Sequence, residues 1–119
     1  MGKAQRVKGH AFERLVANAM KELFPDSKRG LSQTRGGEEC ADVENCGPFW
    51  VECKVGQRPN IYAAMVQSVN AIQASKAEKV PVVITHKDRG YTTVTMMFDD
   101  WFDMLKTMKE TMDEQDKDK

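Results

Sequence analysis

The sequence lacks the features that mark several common classes of protein. Its cysteines are few, odd in number and without a CxxC pair, which argues against a disulfide framework or a tetrahedral zinc site and fits a reducing compartment. No apolar run reaches the ~18 residues that a membrane span needs, and the N-terminus has no signal-peptide core. The histidines, His10 and His86, are not at a metal-ligand spacing such as HExxH. We therefore expect an intracellular protein without membrane contact, whose cysteines (Cys40, Cys46 and Cys53) are small buried hydrophobes or bystanders.

An excess of charge of one sign is also missing, but the charges are segregated along the chain. The formal net charge is +0. From residue 99 onward there are eight acidic residues and four lysines, which leaves fourteen basic and ten acidic residues, a net charge of +4, before that point. The first 37 residues hold eight basic and three acidic residues. A basic N-terminal third suits a polyanionic partner, although a solvated face has a similar composition.

The remaining composition is that of one globular domain with alternating helices and strands. With 40% hydrophobic and 30% charged residues, a chain of 119 residues buries about two-thirds of its unfolded surface. We expect the domain to span residues 1–112 and the polar segment 113–119 to be a disordered tail. Hydrophobic periodicity predicts helices over 8–24, 61–77 and 99–112, and strands over 40–45, 49–55, 80–85 and 91–98.

The order of these elements predicts the fold class. The glycine-rich, basic segment 26–39 is predicted to be a loop, and four residues with a turn composition, NCGP, join the first two strands into a hairpin. The sequence of elements is then α-β-β-α-β-β-α. A hairpin, a crossover helix and two further strands give a small mixed β-sheet flanked by helices, which is an α/β fold.

The second predicted strand, FWVECKVG, carries an acid and a base on one face. Because side chains alternate along a strand, Glu52 and Lys54 point to the same side. If Asn45 pairs with Phe49 across a three-residue turn, Asp42 on the preceding strand lies directly opposite Glu52 and on the same side of the hairpin. A slip of two residues would leave the two carboxylates diagonal but still convergent.

Converging carboxylates predict a site for a hard cation. Two like charges placed opposite each other are unfavourable as structure alone. A bound Mg²⁺ makes the same arrangement favourable, because this ion is held by one or two carboxylates with waters completing an octahedron. Lys54, next along the same face, can orient an attacking water or stabilise developing negative charge. The competing interpretation is a surface ion pair on an edge strand, worth only ~0–1 kcal/mol.

Asp42, followed by Glu52-Cys53-Lys54, resembles the bipartite motif of the PD-(D/E)XK nuclease superfamily, with its restriction-endonuclease-like core. The segment KGHAFERLVA resembles the N-terminal helix of Holliday junction resolvases, in which a glutamate stands where Glu13 stands here. The segment VECKVGQRPNIYAAMVQSVNA resembles small resolvase-like nucleases of phages, and VPVVITHKDRGYTTVTM fits the strands that follow. The resemblance covers roughly residues 8–105. The family's proline before the first aspartate is Ala41 here.

The resemblance implies a Mg²⁺- or Mn²⁺-dependent endonuclease, most similar to Holliday junction resolvases of phage type, acting inside a cell. Asp42 and Glu52 would ligate the metal, with the Cys53 carbonyl as an additional ligand. Glu13 would bind or position a second ion or its water. The implied catalytic residues are Glu13, Asp42, Glu52, Lys54 and Gln67.

The resemblance also implies roles for the remaining groups. Lys54 would assist the nucleophile, and Gln67 would orient Lys54 or the scissile phosphate. Branched DNA is the implied partner, and its backbone would be contacted by Lys8 and by the basic residues of the 26–39 loop, which are Lys28, Arg29 and Arg35.

A four-way junction must be cut on two opposed strands, and this chain has one D…ExK motif. A resolvase would therefore act as a two-fold homodimer. The apolar residues of the third predicted helix are a candidate interface, although that helix would equally pack on its own sheet.

Several alternatives stay open. A nuclease of the same fold could act on flaps, ends or a restriction site, and a non-catalytic DNA-binding module could share the fold. The presence of all the presumed catalytic residues counts against the second alternative. Glu13 could be a solvated helix residue, and Gln67 could cap a polar contact. A zinc-binding interaction domain is excluded by the spacing of the cysteines.

Overall fold

The computed structural model describes residues 2–30, 34–35, 38–39 and 41–117. None of the helices within these ranges combines the length and the apolar character needed to cross a membrane. The described helices are α1 Lys3–Met20, α2 Ile61–Ser75 and α3 Phe98–Lys117, and the described strands are β1 Lys28–Arg29, β2 Thr34–Arg35, β3 Glu38–Glu39, β4 Val43–Cys46, β5 Phe49–Gly56, β6 Val80–Lys87 and β7 Thr92–Met96.

The main sheet has five strands in the order β1-β4-β5-β6-β7. β5 and β6 are parallel and are joined by the crossover helix α2, whereas the other neighbouring strands are antiparallel. This arrangement confirms the predicted mixed α/β class. The predicted loop over 26–39 differs from the structure, because it contains β1 and the small antiparallel pair of β2 and β3.

Two helices cover the two faces of the sheet. α1 packs against β1, β4 and β5, and α2 packs against β5 and β6 on the other face. Alternation along β5 serves both layers, since Val51 and Cys53 join the cluster around Phe12 of α1, whereas Trp50 packs with Ala71 of α2. The centre of β5 is therefore covered on both sides, which explains why this strand is so apolar.

α3 differs from the other two helices because none of its residues is buried. Within the described chain it makes no extensive contact with another element, and the molecule measures 57 × 36 × 27 Å. The expectation that this helix covers its own sheet is therefore wrong for the described residues. The helix also continues to Lys117, into the segment whose composition suggests a disordered tail.

The β4–β5 hairpin contains a bulge that corrects its register. Cys46 pairs with Phe49, so the turn holds two residues rather than the predicted three. The register then shifts, with Asn45 in the left-handed region at φ 62°, and Val43 pairs with Val51. The pairing of Val43 with Val51 is the predicted register. If it continues by one residue beyond Val43, Asp42 lies opposite Glu52.

Candidate active site

The centre of the site is the pair of carboxyl groups on Asp42 and Glu52. The described β4 ladder ends at Val43, and the Asp42 carboxylate then accepts a hydrogen bond from the Cys53 backbone N–H, with Oδ2 2.8 Å from the nitrogen. Glu52 is only 6% exposed. Burial first, and then the charge of Asp42 and a hydrogen bond to it, raise the pKa of Glu52 to about 8. The Glu52 carboxyl group therefore retains its proton at neutral pH, and its O–H donates a hydrogen bond to the Asp42 carboxylate.

The backbone of Cys53 also faces Asp42. The N–H and C=O of one strand residue point to the same neighbouring strand. Since the Cys53 N–H meets the Asp42 carboxylate, the Cys53 carbonyl is directed to the same side, as its predicted role as a metal ligand requires. Burial, and then the charges of Asp42 and Glu13, raise the pKa of the Cys53 thiol, so its sulfur is a neutral part of the core.

Trp50 holds Glu52 in place, and the sequence reasoning missed it. The Trp50 indole Nε1–H donates a hydrogen bond to Glu52 Oε1 at 3.0 Å, and both side chains are buried. This bond favours the charged carboxylate and so opposes the rise in its pKa. The positions of the two residues could have indicated this contact. Residues two apart on a strand share a face, and a buried tryptophan N–H needs an acceptor.

Glu13 approaches from the α1 side of the sheet and is held by Arg29. Arg29 Nη1 lies 3.4 Å from Glu13 Oε1, and the two side chains are 25% and 16% exposed respectively. Burial and the Asp42 charge raise the pKa of Glu13, whereas Arg29 and Lys54 lower it. Glu13 therefore lies within electrostatic reach of Asp42 and Lys54. Arg29, which was predicted to contact DNA, instead neutralises a site carboxylate.

Lys54 follows Glu52 on the same face of β5 and is partly exposed. Its charge lowers the pKa of both Glu52 and Glu13, so the ammonium lies near both. Within the described chain it has no ion pair and no hydrogen bond. The structure thus brings Asp42, Glu52 and Lys54 together as predicted from their spacing.

Gln67 lies on α2 with an exposed side chain and makes no hydrogen bond to the described residues. The buried face of the helix carries small residues, including Ala64 and Ser68, which allow it to approach β5 and β6 closely. The structure therefore does not place Gln67 in contact with the acidic pair.

The fit of the site to a metal depends on the acidic pair. Among the described residues, no group of three histidine, cysteine, aspartate or glutamate side chains is placed to hold an ion. The arrangement thus gives no support to Glu13 as a third ligand. Mg²⁺, however, commonly uses only one or two protein carboxylates and keeps several waters, so Asp42, Glu52 and the Cys53 carbonyl suffice.

The predicted DNA contacts are only partly in place. Lys28 is exposed on β1, and the side chain of Arg35 lies outside the described residues. Lys8 forms an ion pair with Asp88. Sequence reasoning missed three further cations, Arg58, Lys87 and Arg89, which line one cleft with Lys8.

No family model, curated protein or solved structure matches the chain. The function of the site must therefore be inferred from its geometry, in which the buried Glu52 carboxyl group meets the partly buried Asp42 carboxylate beside the Lys54 ammonium.

Proposed function

We propose that this protein is a metal-dependent endodeoxyribonuclease of the PD-(D/E)XK type, most similar to the Holliday junction resolvases of phages. The observation that carries the proposal is the convergence of Asp42 and Glu52 at the end of the β4–β5 ladder, with Lys54 next on the same face. A surface ion pair does not explain this arrangement, because Glu52 is buried and hydrogen-bonded to another acid.

The donor set suits Mg²⁺ or Mn²⁺. The paired carboxyl groups are hard oxygen ligands, and burial, followed by the charge of Asp42, raises the pKa of Glu52 to about 8, so this carboxyl group holds a proton at neutral pH. A divalent ion would displace that proton and allow both groups to ionise. When bound, it would activate a water and neutralise charge on the phosphodiester.

The side chains around the acidic pair would have separate roles in the reaction. Lys54 would orient the attacking water or stabilise the developing negative charge, since its ammonium has no partner in the described chain. Trp50 would fix the orientation of Glu52. The Arg29–Glu13 ion pair would hold Glu13 beside Asp42, where it can order water. Gln67 would act only if substrate or a side-chain movement brings it to the site.

The choice of DNA, and of branched DNA, follows from the resemblance of the motifs. Nucleases that act on flaps, ends or a restriction site would use the same three residues. A non-catalytic DNA-binding module would have no need to bury an acidic pair beside a free lysine, so catalysis is the better reading of the site.

The experiment compares labelled linear, flap and four-way DNA in Mg²⁺, in Mn²⁺ and in chelator. We expect metal-dependent cleavage with preference for the four-way substrate, and a metal-induced rise in Tm. Asp42→Asn with Glu52→Gln should abolish both effects. A matched control, Asp26→Asn with Glu22→Gln, removes two exposed carboxylates and should retain both effects. Cleavage that survives in the first double variant would disprove the assignment.

A further inference from the structure

A polar cleft lies at the carboxyl ends of the two parallel strands and is bounded by three separate elements. Its volume is about 740 Å³. Open α/β sheets bind ligands at this edge. The lining residues come from α1, from the segment after β5, and from the end of β6 with the turn that follows it, and they are Lys8, Gln57, Arg58, His86, Lys87, Asp88 and Arg89.

Backbone contacts fix the two turns relative to each other. Gly56 is paired with Lys87 across the parallel strands, and the Asp88 N–H donates to the Gly56 carbonyl at 2.9 Å. The β6–β7 turn is closed by the Gly90 N–H donating to the Lys87 carbonyl at 2.7 Å, with Arg89 at φ 60°. The cations of the cleft are thus presented by a defined framework.

The cleft carries an excess of positive charge. Its one acid, Asp88, is paired with Lys8. Arg58, Lys87 and Arg89 are exposed and have no ion pair with a described residue, which leaves three uncompensated positive charges when His86 is neutral. Exposed cations without acidic partners favour a polyanion.

The cleft continues the line of β5 beyond the acidic site. Lys54 is two residues before Gly56, the last residue of β5, so a strand rise of ~3.3 Å per residue puts the end of the strand roughly 7 Å from Lys54. The cleft begins at the next residue, Gln57. A nucleic acid strand whose phosphate lies at Lys54 would therefore pass the cleft.

We propose that this cleft binds the phosphodiester backbone of DNA beside the cleavage position, through Arg58, Lys87 and Arg89. The proposal rests on the nuclease function proposed above. Such contacts position the substrate and carry no base sequence information.

The test measures binding of a fluorescent duplex to the full chain in chelator, where cleavage does not interfere, over a range of salt concentrations. Arg58→Ala with Lys87→Ala should weaken binding by about tenfold or more and reduce the slope of log K against log [salt] by about 1.8. The control, Lys106→Ala with Lys109→Ala, removes two exposed lysines of α3 and should leave the slope unchanged.

An unchanged slope in the Arg58/Lys87 variant, an equal change in the control, or no binding by the wild type would overturn the proposal. Cleavage in Mg²⁺ at saturating DNA is measured separately. If binding depends on the cleft but no cleavage occurs, the nuclease function is disproved and DNA binding by the cleft is retained. If cleavage occurs but the salt slope of the Arg58/Lys87 variant is unchanged, only DNA binding by the cleft is disproved.

A second, independent observation concerns α3. Its apolar residues follow a heptad spacing, with Phe98, Trp101, Leu105, Met108 and Met112 separated alternately by three and four residues. All five are exposed. This spacing places them in one stripe, the pattern by which helices pack against a like helix.

The stripe continues onto the sheet. Val94 and Met96 of β7 line one depression together with Phe98 and Trp101. Val94 pairs with Ile84 and so lies on the α1 face of the sheet, but the main contacts of α1 within the described chain are with β1, β4 and β5. The described chain thus leaves an apolar surface that runs from β7 along α3.

The size of this surface fits a second copy of the chain. The exposed parts of the seven large apolar side chains of α3 amount to roughly 700 Å², from side-chain areas of ~150–250 Å² for the aromatic residues. A standard interface buries ~800 Å² per partner, whereas the largest patch of a monomer is typically ~300–600 Å². The helix's ion pairs, Lys106–Asp103 and Lys109–Asp113, join residues of the same helix and need no partner.

We infer that a second copy of this chain covers the surface formed by α3 and β7, and that the same residues of both copies meet in a two-fold interface. Sedimentation of the full chain at micromolar concentration should show a dimer. Leu105→Asp with Met108→Asp should give a monomer, whereas the control Tyr62→Asp, which alters an exposed aromatic residue on α2, should stay dimeric. Circular dichroism separates lost association from lost folding. A wild-type monomer at 100 µM, or a dimer that survives both aspartates, would overturn the inference.

Discussion

Replacing Glu52 by glutamine should make the metal-free protein more stable at alkaline pH. Glutamine has nearly the shape of a protonated glutamate. Its carbonyl oxygen can accept the Trp50 Nε1–H bond, and its amide can donate to the Asp42 carboxylate. The variant therefore keeps the contacts of the protonated site and cannot acquire the second negative charge. The comparison isolates the energetic effect of ionising one buried group.

The sign and size of the effect follow from the pKa of Glu52. Because this pKa rises from 4.5 to about 8 on folding, the folded state holds the proton more tightly than the unfolded state. The stabilisation is complete below pH 4.5 and is lost as pH rises to 8. Each pH unit in this window changes the free energy of unfolding by ~1.4 kcal/mol, which gives an upper limit of roughly 5 kcal/mol at alkaline pH.

Urea unfolding in chelator at pH 5.5, 6.5, 7.5 and 8.5 measures the difference between Glu52→Gln and the wild type. We expect the advantage of the variant to grow across this series and to level off near pH 8.5. Glu22→Gln, at an exposed position, should show no such growth. Mg²⁺ should reverse the order, because it stabilises only the wild type. A difference between the two proteins that stays constant with pH would refute the buried, shared position of Glu52.

Three further predictions test the surroundings of the pair. Lys54→Ala should lower the single-turnover cleavage rate by orders of magnitude and leave DNA affinity within a few-fold, and loss of affinity with an unchanged rate would make Lys54 a DNA anchor. Gly30→Ala would place a Cβ 2.4 Å from the Ala41 carbonyl oxygen and so shift the backbone before the acidic pair, and we expect weaker Mg²⁺ binding by calorimetry and a lower Tm. Trp50→Phe removes the 3.0 Å bond to Glu52 and should raise the Glu52 pKa further, so Mg²⁺ affinity should begin to fall at a higher pH than in the wild type.

The pairing of the two carboxyl groups could be predicted although the turn beside them could not. The sequence predicts a turn of three residues, and the structure uses two. The bulge at Asn45 then restores the register, and Asn is one of the few residues that tolerate a positive φ. Burial explains the outcome, since Val43 and Val51 are each 1% exposed and a one-residue slip of β4 would turn Val43 out of the cluster that it forms with α1.

The contacts that could not be predicted join residues far apart in the sequence. The Arg29–Glu13 pair connects β1 to α1, and the Lys8–Asp88 pair connects α1 to the β6–β7 turn. No local pattern reports such pairs, because periodicity describes one element at a time. The same limit applies to α3, whose stripe predicts an apolar partner without saying whether that partner is its own sheet or another chain.

The acidic pair is tolerated because each carboxyl group has a fixed donor from the protein. Asp42 receives the Cys53 N–H and Glu52 receives the Trp50 Nε1–H, so neither is left buried without a partner. These two bonds leave one position between the groups, which a proton fills in the metal-free protein and which a divalent ion would fill at higher pH. A proton and the proposed metal ion would therefore compete for one site, and metal binding should release close to one proton at pH 7. Isothermal titration in two buffers of different ionisation enthalpy measures that number directly. A value near zero would show that both carboxyl groups are already ionised in the metal-free protein.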